Sequence, residues 1–259
     1  MGYNIAMIDV HCHLDHPYLL PHLEKITKNP YLRILISSGI KPASWKANID
    51  IQKKYPVNIS LGFHPFFIES VATEELELLR ESIKNNQVIA VGEIGLDYHK
   101  EQAMYRDYQK EVLLGQLKIA EEFQLPVIVH CRKAHDDFWK FIKGFDISCW
   151  IFHSFSGSQD DLKKALAING YISYGFPVAY DNNVKRVEML KITPLDRIVF
   201  ETDAPYMKRT LEDAHETSFP SDIELVYNTS ARILGMSLSD LKEQIFNNVK
   251  SIWNNLKEL

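Results

Sequence analysis

Short apolar runs recur along this chain, and stretches with helical spacing separate them. The runs fall near 5–10, 32–37, 57–62, 88–93, 127–130, 148–153, 171–174 and 197–202. Helical patterns follow near 17–28, 43–54, 73–85, 101–123, 134–143, 158–168, 182–190 and 221–234. An apolar run without polar alternation marks a strand covered on both faces, as in a parallel sheet flanked by helices. Eight such alternations are the number that closes a TIM (β/α)8 barrel. A last helix near 238–257, capped by Ser237 or Ser239, packs outside it in this reading. Thr73 with Glu74 and Glu75 reads as the capped start of the third helix. Ser158 with Asp160 and Asp161 reads as that of the sixth. The 259 residues suit one such barrel, so the sequence predicts a single α/β domain over 1–259.

In that fold the strand ends converge on one mouth. The residues at those ends are therefore the ones to inspect. Glu93 follows Val88–Val91, His130 follows Val127–Val129, His153 follows Trp150–Phe152, and Asp203 follows Ile198–Phe200. The first run ends in His11-Cys12-His13, whose two imidazoles share one side of an extended segment. A lone histidine at a strand end is usually a hydrogen-bonded structural residue. Six donors at five strand ends, imidazoles mixed with carboxylates, are instead a divalent-metal set. His11 and His13 chelate one ion in this reading, His130 and His153 hold a second, and Glu93 bridges them. Asp203 binds the first ion and accepts the proton of an attacking water. Asp9 and Glu201 share the parity of His11 and Asp203 and read as buried supports for them or as buried ion-pair partners. His16, His22, His99, His135 and His215 have no strand-end position and read as solvated or locally bonded.

Composition bounds the remaining choices. The formal net charge of −5 argues against a broadly basic nucleic-acid surface but leaves room for a local cationic site. The three cysteines, Cys12, Cys131 and Cys149, do not make a disulfide framework and read as packed thiols. No apolar run is long enough to span a membrane. The first strand begins too early to follow a signal peptide, which points to the cytoplasm. A nucleotide-binding Gly-x-x-x-x-Gly-Lys-Ser/Thr, a Gly-x-Ser-x-Gly elbow and a His-Glu-x-x-His helix are all missing, so these chemistries have no support.

Six segments, in order, carry a resemblance. Asp9-Val-His-Cys-His-Leu-Asp15, Gly62-Phe-His-Pro65, Gly92-Glu-Ile-Gly-Leu-Asp-Tyr98, Val129-His-Cys-Arg132, His153-Ser-Phe-Ser-Gly157 and Glu201-Thr-Asp-Ala-Pro-Tyr206 resemble the TatD family of metal-dependent deoxyribonucleases, within the amidohydrolase-like hydrolases. The resemblance implies a TIM barrel with one to three divalent ions. It also implies the ligand set His11, His13, Glu93, His130, His153 and Asp203, the same set reached from the strand ends. After Tyr206 the chain departs from the family pattern. Arg209 stands in for a family arginine, but the usual Gly and Asn of the following segment are not evident across 207–220.

Around the mouth the sequence places His64, Arg132, Phe66, Phe67, Tyr98, Phe155 and Tyr206. Arg132 pairs with phosphate in this reading. His64 donates to a phosphate oxygen or protonates a leaving alkoxide. The aromatic rings stack on unpaired bases. The leading reading is a two-metal phosphodiesterase acting on single-stranded DNA from its 3′ end, with two ions drawn from Mg, Mn, Zn, Ni or Co. The alternative is a hydrolase of a small amide, lactone or phosphoester using the same ions. A non-catalytic metal-bearing scaffold is a third reading, which the completeness of the donor set disfavours.

Overall fold

The computed structural model describes residues 6–68, 71, 73–210 and 217–259. Ile5 at the start of the first run, His215, and positions 211–216 of the loop after the eighth strand lie outside them. The strands are β1 (Met7–Cys12), β2 (Leu32–Gly39), β3 (Asn58–Leu61), β4 (Val88–Asp97), β5 (Val127–Arg132), β6 (Trp150–Phe152), β7 (Gly170–Tyr174) and β8 (Ile198–Phe200). They form one sheet in the order β1 to β8. The helices among the described residues are α1 (Leu23–Thr27), α2 (Pro42–Lys54), α3 (Thr73–Lys84), α4 (Arg106–Glu122), α5 (His135–Phe141), α6 (Gln159–Ala167), α7 (Val184–Ile192), α8 (Ile223–Leu234) and α9 (Leu238–Ile252). Strand and helix alternate through β8 and α8, the order of a TIM barrel with one further helix. No helix of the described residues is long and apolar enough to cross a membrane.

The chain divides into two compact units, one of Met1–Ser37, Ile51–Asn58 and Ile172–Leu259, the other of Ser38–Asp50 and Ile59–Tyr171. The chain passes between them at 37/38, 50/51, 58/59 and 171/172. The sequence reading of one domain over 1–259 therefore meets a structure in which no single cut in the chain separates the units.

In the first unit, β1 runs parallel to β2 with Ile8 opposite Ile34. Likewise β7 runs parallel to β8 with Ile172 opposite Ile198. The segment after β8 returns to β1: Asp203 N donates to His11 O at 2.9 Å, and His13 N donates to Ala204 O at 2.8 Å. Helix α8 is tied to β1 by Tyr227, whose buried hydroxyl accepts from Ile8 N at 3.2 Å and donates to Ile8 O at 3.3 Å. In α9, Asn248 donates to the carbonyls of Leu195 and Ile198 at 2.8 and 2.7 Å. The C-terminal residues run back to β2 and β3. Leu259 N donates to Arg33 O, the Arg33 guanidinium pairs with Glu258, and Asn58 exchanges two bonds with the Lys257 backbone.

In the second unit, β3 to β6 are parallel, with Ser60 opposite Ala90, Gly95 opposite His130 and Val129 opposite Phe152. Two buried glutamines of α4, seven residues apart and hence on one helix face, hold the strand ends. Gln116 accepts from Phe63 N at 2.6 Å and donates to Phe63 O at 3.2 Å. Gln109 accepts from Asp97 N and donates to Asp97 O, both at 2.8 Å. Each strand end thus has both backbone groups satisfied by one side chain where the sheet ladder stops.

The elements differ from the sequence expectation at several edges. The expected helix over 17–28 becomes a 3-10 turn at Leu20–His22, with Pro21 inside it, followed by the short α1. The start of the expected 101–123 helix is likewise 3-10, over Lys100–Tyr105. Ser158 caps α6 in a reciprocal box with Asp161, and Ser237 caps α9 by accepting from Asp240 N. Thr73 lies inside the first turn of α3 and is not its cap. The largest difference is β4, which the sequence ends at Glu93 and the structure carries to Asp97.

Candidate metal centre

The extension of β4 decides the site of the second unit. Glu93, Gly95 and Asp97 share one face of the strand by its two-residue period. Gly95 lies opposite His130 on β5. Its backbone adopts φ +149°, and a Cβ there would stand 2.8 Å from the His130 carbonyl carbon and nearer still to the oxygen. Only glycine permits that approach. The His130 ring consequently sits between two carboxylates: Nδ1 lies 2.8 Å from Glu93 Oε1, and Nε2 lies 2.9 Å from Asp97 Oδ2. Burial by itself would lower the pKa of this imidazole. The bonds to Asp97 and Glu93 outweigh burial and hold it above its ordinary value.

Two more imidazoles approach the same glutamate oxygen. His64 Nε2 is 3.4 Å and His153 Nε2 is 3.6 Å from Glu93 Oε1. Glu93 is 3 % exposed. His64, Glu93 and His130 form a group whose donor atoms lie close enough together to hold an ion. The role of His64 is narrowed by Phe66, whose backbone N–H donates to His64 Nδ1 at 3.1 Å. That bond uses the Nδ1 lone pair, so the neutral ring carries its proton on Nε2. His64 therefore presents a donor, and the lone pairs that suit a cation belong to Glu93, His130 and His153.

The first unit carries a second donor group. Asp203 Oδ1 is 3.1 Å from His13 Nε2 and 3.8 Å from His11 Nε2. Both histidines are buried, and their rings meet edge to face at 4.9 Å. Asp203 lies past the end of β8 at φ +55°. The turn around it is fixed from behind by Asp9, which is fully buried. Asp9 accepts from Thr202 Oγ1 at 2.6 Å, from Thr202 N at 3.0 Å and from His11 N at 3.2 Å. Burial pushes the Asp9 carboxyl up to about 8, against these three bonds, which favour its ionised form. Glu201, also buried, accepts from Ser173 Oγ at 2.5 Å. Asp9 thus contacts the His11 backbone and Thr202, whereas the Glu201 bond runs to Ser173 on β7.

The rim residues separate into two kinds. Tyr206 is 54 % exposed, with its ring edge-on to His13 at 4.9 Å, and Arg132 is exposed at the end of β5. Phe66 and Phe67 are also exposed, and Lys41 Nζ stands 4.5 Å over the Phe67 ring. Tyr98 and Phe155 do not fit the base-stacking reading. Phe155 is 3 % exposed, packed on Phe152 and His135. Tyr98 is buried, with its hydroxyl donating to Asp137 and Arg106 covering its ring at 4.6 Å. Neither offers a free face to a base. Arg209 is 3.6 Å from Asp222. Among the minor histidines, His16 accepts from Tyr18 N through Nδ1. Burial pushes the thiols of Cys12 and Cys131 up, as expected of packed cysteines.

Sequence reasoning missed Asp97. Its signal was present in the Glu-x-Gly-x-Asp spacing of 93–97, which puts both carboxylates on one strand face once the strand is carried through Gly95.

The two groups are largely buried, combine imidazole nitrogens with carboxylate oxygens, and stand on segments that end or follow parallel strands. That chemistry suits a divalent cation of borderline hardness, and with this fold it defines a metal-dependent hydrolase barrel. Comparison with known proteins agrees. The model of the family described as TatD related DNase matches residues 8–254. The chain belongs to that family. It is 29% identical over 252 residues to YabD of Bacillus subtilis (strain 168), named as an uncharacterized metal-dependent hydrolase, covering 95% of each chain. It is also 29% identical over 198 residues to a protein of Pantoea sp. (strain At-9b) named as the 3'-5' ssDNA/RNA exonuclease TatD, covering 71% of this chain and 76% of that one. The crystal structure of YjjV, a TatD homologue from Escherichia coli K12, superposes with a TM-score of 0.91 at 25% identity, over 98% of this chain and all of that one.

Proposed function

We propose that this chain is a divalent-metal-dependent deoxyribonuclease that removes nucleotides from the 3′ end of single-stranded DNA. The observation that carries the reading is the convergence of imidazole nitrogens of His64, His130 and His153 on one oxygen of Glu93. The relative named as a 3'-5' ssDNA/RNA exonuclease supplies the substrate class. In this proposal His11, His13 and Asp203 hold one ion, and Glu93, His130 and His153 hold another. When bound, the ions lower the pKa of water and draw charge from the phosphoryl oxygens.

The side chains do the rest. Asp203 takes the proton of the attacking water as its oxygen bonds to phosphorus. The P–O3′ bond breaks, and the leaving 3′ oxygen accepts a hydrogen bond from the His64 Nε2–H, which the Phe66 amide sets, and takes its proton from solvent. The products are a 5′-nucleoside monophosphate and a strand shortened by one. Arg132, exposed on β5, pairs with a phosphate of the incoming strand, and the exposed Tyr206 ring stacks on a base.

A second reading is hydrolysis of a small ester, lactone or amide by the same residues. The pairing of Arg209 with Asp222 favours it, because it draws a cation of the variant 207–220 segment toward a carboxylate. The test is incubation with labelled single-stranded oligonucleotides and Mg²⁺ or Mn²⁺, with a chelator control. Stepwise release of 5′-monophosphates that stops with chelator supports the proposal. Intact oligonucleotide beside metal-dependent cleavage of a small ester or lactone transfers the assignment to the second reading.

A further inference from the structure

Asp97 has no part in the ligand set, yet its carboxylate and its backbone are both held by hydrogen bonds. It is fully buried. Its Oδ2 faces His130 Nε2 at 2.9 Å, and its Oδ1 accepts from His99 N at 2.7 Å. Its backbone is gripped on both sides by Gln109, itself 1 % exposed. The Gln109 amide also donates to Gln102 O at 2.9 Å, which fixes the amide's orientation. Asp97 therefore has one position available to it. Because Gly95 lets β5 come close, that position is against the far nitrogen of His130.

We infer that Asp97 is the positioning residue of His130. It accepts the Nε2–H, fixes the ring plane, and leaves the Nδ1 lone pair aimed at the side where Glu93 Oε1 lies. The inference rests on the proposed metal-binding role of His130. The need for a carboxylate follows from its two partners. His130 Nε2–H and His99 N–H are both donors, so position 97 must supply two acceptors. An amide supplies one and turns its NH2 toward the other donor. A buried donor left facing a donor displaces one of them. Carboxylates that orient a ligating imidazole in this way typically affect metal affinity by roughly 10–100-fold.

The experiment compares wild type, Asp97→Asn, His130→Ala and the double variant. Zn²⁺ affinity is measured by competition with a chromophoric chelator, after circular dichroism has established that each chain is folded. Asp97→Asn is expected to weaken Zn²⁺ binding by about 10–100-fold in the wild-type background and to add little once His130 is alanine. In the Zn²⁺-loaded wild type, two-bond ¹H–¹⁵N correlations should show His130 protonated on Nε2. Gln109→Glu keeps the acceptor for Asp97 N and loses the donor to Asp97 O, so it should give a smaller loss of the same kind. Equal weakening by Asp97→Asn with and without His130 would mean general damage and overturn the inference, as would a His130 ring unprotonated at Nε2. A wild type that takes up no divalent ion would overturn the metal reading itself. Normal uptake by both wild type and Asp97→Asn would overturn the inference alone.

Discussion

Gly95→Ala tests the geometry on which the site of the second unit depends. The new methyl would overlap the His130 carbonyl oxygen and stand 2.8 Å from its carbon, where ordinary contact begins near 3.4 Å, so β4 and β5 must part there by well over 0.6 Å. The residue would also be held at φ +149°, a strain of about 1–3 kcal/mol for a residue with a side chain. Overpacking a close contact adds about 1–3 kcal/mol. Together these imply a loss of roughly 2–6 kcal/mol. For a chain of this size that is a fall in Tm of roughly 5–20 °C. The displacement also exceeds the tolerance of about 0.2 Å expected of metal–ligand distances, so metal affinity should fall along with stability. Calorimetry and a chelator competition measure the two effects. Gly144→Ala is the control. Gly144 has φ +93° with nothing within 4 Å of its would-be Cβ, so it carries the strain without the clash and should leave metal affinity alone. If Gly95→Ala melts within a degree of wild type and binds metal equally, the close approach is not what the structure says it is.

Asp203→Asn should reduce turnover by orders of magnitude while the Glu93 group still retains an ion. Unchanged kcat with unchanged metal content would refute its double role. Arg132→Ala should lower kcat/KM for single-stranded DNA by roughly 10–100-fold, the scale of one charged hydrogen bond, and leave metal content as it was. An unchanged kcat/KM would remove Arg132 from the substrate contacts. Asp161→Asn should weaken the Ser158 cap and the bond from Trp139, costing about 1–2 kcal/mol near neutral pH. Burial would raise the Asp161 carboxyl, but bonds from Ser158 and Trp139 hold it below its unfolded value of 3.8. Its contribution is thus present in full above that value and is lost as pH falls through the lower folded pKa. Urea titrations across pH 2 to 7 should show the variant's deficit shrinking on the acid side, and a deficit that grows there would reverse the sign of the argument.

The strands were legible because a strand covered on both faces leaves an uninterrupted apolar run. The ligand candidates were legible because each follows such a run. What the sequence hid follows from glycine and from depth. Gly92 and Gly95 interrupt the apolar text of β4, and glycine ordinarily weakens a strand. The apolar run therefore ends at Glu93 in the sequence, and Asp97 falls beyond it. Here the missing side chain is what permits β5 to approach. Tyr98 and Phe155 follow the same strand ends as the ligands, but an aromatic residue there packs inward as readily as outward. Only the positions of Arg106, Asp137 and His135 decide it. The Phe66 amide that sets the His64 tautomer is a backbone contact, and side-chain patterns carry no trace of it.

The division of the chain into two units bears on the order in which the protein is made. The unit holding Glu93, His130 and His153 draws on no residue beyond Tyr171, so all of its internal contacts are available while the last third of the polypeptide is still being synthesised. The unit holding His11 and His13 must wait for Asp203, and for the C-terminal residues that return to Arg33 and Asn58. His13 waits for a carboxylate 190 residues further along the chain. During that interval β1 has only part of its native company.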